Sequence, residues 1–167
     1  IKKILDEVSV NAIRAKTNTP VAFTNLNKKQ IEKSNLGQDL PFLISSTPSV
    51  VTTSDAGAGI GYTGFRIRGT DPSRINVTIN GIPLNDSESQ GVWWVNMPDF
   101  ASSLENIQIQ RGVGTSTNGA AAFGASINLQ TIGFNTKAYA ITNNSVGSYN
   151  TLKNNIEFGS GSINNKF

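Results

Sequence analysis

The chain has 167 residues, of which 15% are charged, with a net charge of +3 and neither Cys nor His. That length suits one domain rather than two, and the low charge, made up by Asn, Ser, Thr and Gly, excludes an acidic or basic disordered tail. Without Cys or His there is no disulfide, no thiolate nucleophile, no zinc site of the usual kinds and no Ser-His-Asp triad, so no catalytic residue, resident metal or cofactor is expected.

No apolar run approaches the ~18 residues of a membrane helix. There is no signal peptide, and a start at Ile1 rather than Met reads as a mature or excised fragment. Lys28, Lys29 and Lys33 form the densest positive cluster. With Glu32 among them they read as one solvated helix face, too short a block to signal nucleic acid.

Residues 1 to 12 form an extended segment in which Val8, Val10 and Ala12 alternate with Glu7, Ser9 and Asn11. Val21 to Leu26 reads as a strand. Asn27 with Gln30 three residues on is a capping-box pattern, predicting a short helix over 28–33. Asp39 is expected to cap a second helix with Pro41 in its first turn, an apolar face of Leu40, Leu43 and Ile44, and a stop at Pro48. A strand over 50–53 follows, then a glycine-rich loop over 55–64. That loop contains Gly59-x-Gly61-x-x-Gly64, the spacing of a dinucleotide fingerprint. The fingerprint requires a helix next, and the residues that follow, Phe65 to Arg68, read as a strand.

Ile75, Val77 and Ile79 alternate with Asn76 and Thr78, predicting a strand with one buried face. Asn80-Gly81 is a two-residue hairpin signal, and Ile82-Pro83-Leu84 leaves it as an edge or short return strand. Trp93 and Trp94 are adjacent, so in an extended segment they point to opposite sides. Pro98-Asp99-Phe100 opens a helical turn. Ile107 and Ile109 mark a further strand, and Ile127 and Leu129 another. Between them Gly112 to Gly124 is almost all small residues, as a close backbone approach or a sharp bend demands. Beyond Gly133 two alternating segments, 134–146 and 149–158, flank Gly147-Ser148. Each is near the ~9–11 residues of a transmembrane β-strand, although a soluble hairpin predicts the same pattern.

Taken in order, Ile67-Arg68-Gly69, Asn80-Gly81-Ile82-Pro83, Glu105 to Gly112 and Ile127-Asn128-Leu129 resemble the plug of TonB-dependent outer-membrane receptors. Plugs of that family carry forms such as I-R-G, V-x-V-D-G-V-P, I-E-R-I-E-V-x-R-G-P and Y-G-x-x-A-x-G-G-V-I-N. The likeness spans roughly residues 6 to 131. Departures are Asn80 for the frequent Asp, Val113 for Pro, Asn118 for Tyr, and Ala125-Ser126 for Gly-Val.

The resemblance implies an α+β fold: a small mixed four-stranded sheet with short helices and long loops, followed by a β-hairpin that begins a transmembrane β-barrel. It divides the chain into an extended segment (1–12), a plug (13–132) and first barrel strands (133–167). It implies an outer-membrane location, with the plug inside the barrel and the N-terminus in the periplasm. The implied function is gating the energised uptake of a scarce nutrient: a siderophore, haem, cobalamin, glycan or peptide. The implied partners are TonB, the chain's own C-terminal barrel and that ligand.

Asp6, Glu7, Val8, Ser9, Val10, Asn11 and Ala12 resemble a TonB box, an extended edge suited to strand addition. Arg66, Arg68, Glu105 and Arg111 lie in the matching motifs and are expected to dock the plug on the barrel wall. Tyr62, Ser89, Gln90, Trp93 and Trp94, in the 55–64 and 85–94 loops or beside them, are expected to face substrate. Asp86 and Glu88 read as solvated loop charges rather than metal ligands. The alternative is a soluble module that pairs strands with a protein partner. A hydrolase is weakest, because no two carboxylates share an apolar setting that would split their pKa values.

Overall fold

The computed structural model describes residues 14–113, 122–133 and 135–162. Its centre is a five-stranded sheet in the order β1-β6-β7-β4-β5. The strands are β1 (Ala22–Asn27), β4 (Ile75–Ile79), β5 (Ile82–Pro83), β6 (Leu104–Arg111) and β7 (Ala125–Thr131). The β4–β7 pair is parallel and the rest antiparallel, so the sheet is the expected mixed one, with a two-residue edge strand added. Asn80 and Gly81 have φ of 51° and 85°, the left-handed pair that a tight two-residue hairpin needs.

One sheet face is apolar. Ile75, Val77, Ile107, Ile109, Ala125, Ile127 and Leu129 are all buried there. They pack with α1 (Lys28–Ser34) through Ile31, with α2 (Leu40–Leu43) through Leu40 and Leu43, and with Ile44, Phe65 and Trp94. The capping box at the start of α1 forms as expected: Gln30 N–H donates to Asn27 Oδ1 at 3.0 Å, and Asn27 N–H donates to Gln30 Oε1 at 2.9 Å.

Two expectations are corrected on these elements. Asp39 precedes α2, but its carboxylate does not bond the helix. It accepts from Thr63 Oγ1 at 2.8 Å, tying α2 to the neighbouring hairpin. The helix ends after one turn at Leu43, well before Pro48. The expected one-sided burial of β4 is corrected too: Asn76 and Thr78 are buried like Ile75 and Val77, at 5% and 3% exposure.

Two further hairpins complete the described residues. β2 (Val50–Ser54) pairs antiparallel with β3 (Thr63–Ile67), and the glycine loop lies at its tip. A strand, not a helix, follows Gly61, which removes the nucleotide-binding context. β8 (Tyr139–Val146) pairs with β9 (Leu152–Gly159) along their full length. Its two faces differ. Val146, Leu152, Ile156 and Phe158 are 71–81% exposed on one side. Lys153, Asn155 and Glu157 turn the other side toward the sheet domain, where Lys153 bonds Asp99 and Glu157 lies near Lys28. Tyr139 and Ile141 pair with Gly159 and Glu157, on the inner side and opposite to Leu152 and Ile156.

Candidate functional site

The 55–64 and 85–94 loops meet around a cavity of about 360 Å³. Tyr62, Ser89, Trp93 and Trp94 line it, with Asp55 and Asp71 also in its wall. The segment is not the extended one expected, because Trp94–Asn96 form a 3-10 turn, yet the two tryptophans differ in burial. Trp94 is 4% exposed and packs on Phe65 with ring centroids 5.7 Å apart. Trp93 stays 54% exposed, and Tyr62 64%. One wall therefore joins open aromatic rings to hydroxyls and carboxylates, a combination that offers stacking and hydrogen bonds to a ligand.

Each loop is held by its own polar atoms. Asn85 imitates a strand residue: Oδ1 accepts from Val77 N–H at 2.8 Å, while Nδ2 donates to the Ile75 carbonyl at 2.9 Å and the Gln90 carbonyl at 2.8 Å. Asp86 Oδ2 accepts from the Ser89 N–H at 2.7 Å, the Ser89 hydroxyl at 2.9 Å and the Glu88 N–H at 3.1 Å. The Ser89 donors hold the Asp86 carboxyl below its ordinary pKa. Asp86 thus braces the loop, and no group of acidic residues able to hold a metal occurs among the described residues. Gln90 also serves the loop rather than the cavity wall. Its backbone N–H donates to the Asp86 carbonyl at 2.9 Å, and its φ is 58°.

The glycine loop is pinned from outside. Gly59 has φ of 76°, and a Cβ there would meet Gln38 Nε2 at 2.7 Å and the Phe42 ring at 3.0 Å. Its carbonyl accepts from Asp39 N–H at 2.9 Å. Only glycine allows this close approach of the loop to α2.

The four charged motif residues do not form one cluster. Arg66 pairs with Asp71 at 3.5 Å, both half exposed. Arg68 lies beside Gly112, where an added Cβ would come 2.8 Å from its guanidinium. Arg111 reaches the Pro48 carbonyl at 3.4 Å. Glu105 is at the opposite end of β6 from Arg111, roughly 20 Å away at strand rise. It borders a groove shared with Lys28, Lys137, Tyr139 and Ile141.

A second polar cluster escaped sequence reasoning. Asp99, at the left-handed φ of 50°, accepts from Lys153 Nζ at 2.8 Å, Ser102 Oγ at 2.8 Å and Asn35 Nδ2 at 3.0 Å. Desolvation pushes its carboxyl up, but these three donors together outweigh it and leave the pKa lowered. Lys28 and Glu157 approach to 3.7 Å in the same seam. The signal in the sequence was the polar alternation Lys153, Asn155, Glu157; Lys153 and Glu157 have partners more than 50 residues away, while Asn155 donates to Glu157 itself.

Residues 6–12 lie outside the described residues. The first described residues, Arg14 and Ala15, are bonded to the sheet face opposite the apolar core. Arg14 donates to Gln130 Oε1 at 2.7 Å, and Ala15 exchanges two hydrogen bonds with the Gln108 carboxamide. Of the small-residue run, 114–121 also fall outside. At its margin Gly124 sits so close to Thr70 that an added Cβ would lie 2.6 Å from the Thr70 Cβ, the close approach expected of that stretch.

Comparison with known proteins agrees with this architecture. Residues 15–126 match the model of the TonB-dependent Receptor Plug Domain. Comparison with curated protein sequences gives no match. Among solved structures the chain is similar to the ferric yersiniabactin uptake receptor of Yersinia pestis, at 12% identity and a TM-score of 0.61, covering 87% of this chain and 22% of that one. It is similar to the alcaligin outer-membrane receptor of Bordetella pertussis, at 20% identity and 0.62, covering 84% and 23%. It is also similar to a siderophore receptor of Acinetobacter baumannii, at 21% and 0.57, covering 72% and 18%. The chain spans about a fifth of the length of these structures. With the mixed sheet, the paired loops and the motif order all in place, the chain belongs to the family of TonB-dependent receptor plug domains.

Proposed function

We propose that this chain is the plug, with the first barrel strands, of an outer-membrane receptor that gates TonB-energised uptake of a scarce nutrient. Residues 1–12 are the TonB-reaching segment, 13–132 the plug and 133–167 the start of the barrel. The observation that carries this reading is the β8–β9 hairpin. A membrane barrel presents apolar side chains outward and polar ones inward along each strand, and β9 follows this at every position but the outward Asn154, with its inward Lys153 bonded to the plug-matching domain. In this reading Tyr62, Ser89 and Trp93 face the substrate, Trp94 supports that wall from the core, and Gln90 shapes the loop that presents Ser89. Arg66, Arg68, Glu105 and Arg111 dock on barrel wall beyond this chain.

The test is expression of the parent protein in a Gram-negative host, followed by membrane fractionation and capture on the immobilised periplasmic domain of TonB. The protein is expected in the outer membrane and captured, with capture lost when residues 6–12 are deleted. Recovery from the soluble fraction, with no capture, supports the strand-pairing module instead.

A further inference from the structure

The sheet face opposite the apolar core is polar, buried on β4, β6 and β7 and exposed at Asn25 of β1. Asn25, Gln108, Asn128 and Thr78 stand in one row across four strands, and Gln110, Ser126 and Asn76 in the next. Gln108 is 2% exposed, and its carboxamide makes four hydrogen bonds. Oε1 accepts from Ala15 N–H at 2.7 Å and from Gln110 Nε2 at 2.9 Å. Nε2 donates to the Ala15 carbonyl at 3.0 Å and to Asn25 Oδ1 at 2.8 Å. Every hydrogen-bonding site of the amide is filled.

Two of these bonds hold both polar groups of one residue's backbone, as a neighbouring strand would. Ala15 is itself 8% exposed, and Arg14 on Gln130 adds a second hold. Elsewhere on this face Ser126 Oγ, Asn128 Nδ2 and Asn106 Oδ1 are buried without a protein partner. Buried polar atoms of that kind gain hydrogen bonds when water reaches them, whereas the opposite face loses its burial. The two faces therefore resist opening unequally.

We infer that Gln108 is a releasable clasp: it fixes the chain at Ala15 on the polar face, and traction from the N-terminal side frees Ala15 and opens this face while the apolar core stays closed. This rests on the receptor reading above. Gln108 is then a positioning residue for the segment that TonB pulls. A glutamate cannot substitute for it, because a carboxylate accepts from Ala15 N–H but cannot donate to the Ala15 or Asn25 oxygens.

Cysteine labelling in whole cells tests this, in the full-length receptor cleared of other reactive cysteines. Ala15→Cys reports the clasp, Ala125→Cys the apolar face, and exposed Thr17→Cys the reach of the maleimide probe. Labelling is compared in energised cells, in cells treated with a protonophore, and in cells lacking TonB. Ala15→Cys is expected to label only when TonB is energised, with Ala125→Cys protected throughout. Adding Gln108→Leu or Gln108→Glu is expected to make Ala15→Cys label about tenfold faster without TonB, since two or more buried hydrogen bonds are lost. Ala125→Cys stays protected in both, which separates a released clasp from an unfolded domain.

The inference is overturned if Ala15→Cys remains protected in energised cells although the receptor co-purifies with TonB. It is equally overturned if Ala125→Cys labels in step with it, or if neither Gln108 variant changes its rate. Failure to co-purify with TonB overturns the receptor reading itself.

Discussion

At the scale of the residue, Trp93 and Trp94 show how one step along the backbone separates two roles. Trp94 is buried against Phe65, so Trp94→Ala leaves a cavity and costs about 3–5 kcal/mol. Trp93 stands in the cavity wall with half its surface open, so Trp93→Ala shifts stability by no more than about 0.5 kcal/mol. Amide exchange of β3 and β4 in the purified receptor is expected to rise in the first variant and hold in the second. Growth that depends on uptake is expected to fall in the second; the reverse ordering would contradict these placements. The difference in burial was not legible in the sequence: alternation in an extended segment was expected, but Trp94 opens a 3-10 turn. Which ring goes inward depends on Phe65, which comes from another hairpin. Asn76, Thr78, Gln108 and Asn128 show the sharper limit. Alternation assigns polar residues to an open face, yet here all four are buried, with Thr78 bonded to Asn128 and Gln108 to the chain at Ala15. The partners of Gln108 include a residue 93 positions away, and no local pattern encodes such a contact.

At the scale of the element, local chemistry was readable wherever it was self-contained. The Asn27–Gln30 capping box, the Asn80-Gly81 turn and the Ile-x-Ile strands form as their spacing predicts. Asp39 takes the N-cap position of α2 as expected, but its carboxylate accepts from Thr63 of another strand and not from the helix. The seam between β9 and the turn at Asp99 was invisible because its partners, too, lie on distant elements. Its pH dependence follows from the donors. Asp99 has a lowered pKa in the fold, so its contribution is fully present above the ordinary carboxylate value of about 3.9 and disappears as pH falls through the lowered folded value. Asp99 is 40% exposed, so solvent screening limits the pair with Lys153 to about 1 kcal/mol or less. Asp99→Asn is expected to loosen β9 at neutral pH, read as faster amide exchange in 152–159, and to abolish the acid-induced step. An acid step that survives the substitution would assign it to another group.

At the scale of the whole molecule, the ion-paired inner face of the β8–β9 hairpin and the exposed Val146, Leu152, Ile156 and Phe158 on its outer face support the proposal that lipid lies outside it and the plug inside. Several short motifs in order made the family legible, because each marks a strand end or a tight turn that the fold requires. The substrate was not legible, since in the proposed receptor the cavity between the two loops supplies one wall of the site and the barrel supplies the others. The most direct test places the outer face in lipid. In the purified receptor reconstituted into vesicles, a fluorophore on Phe158→Cys or Ile156→Cys is expected to be quenched by acyl-chain nitroxide lipids, and one on Asn155→Cys to be unaffected. Equal quenching at all three positions, or none at any, would contradict a membrane-facing hairpin and with it the assignment of this chain as a plug joined to its barrel.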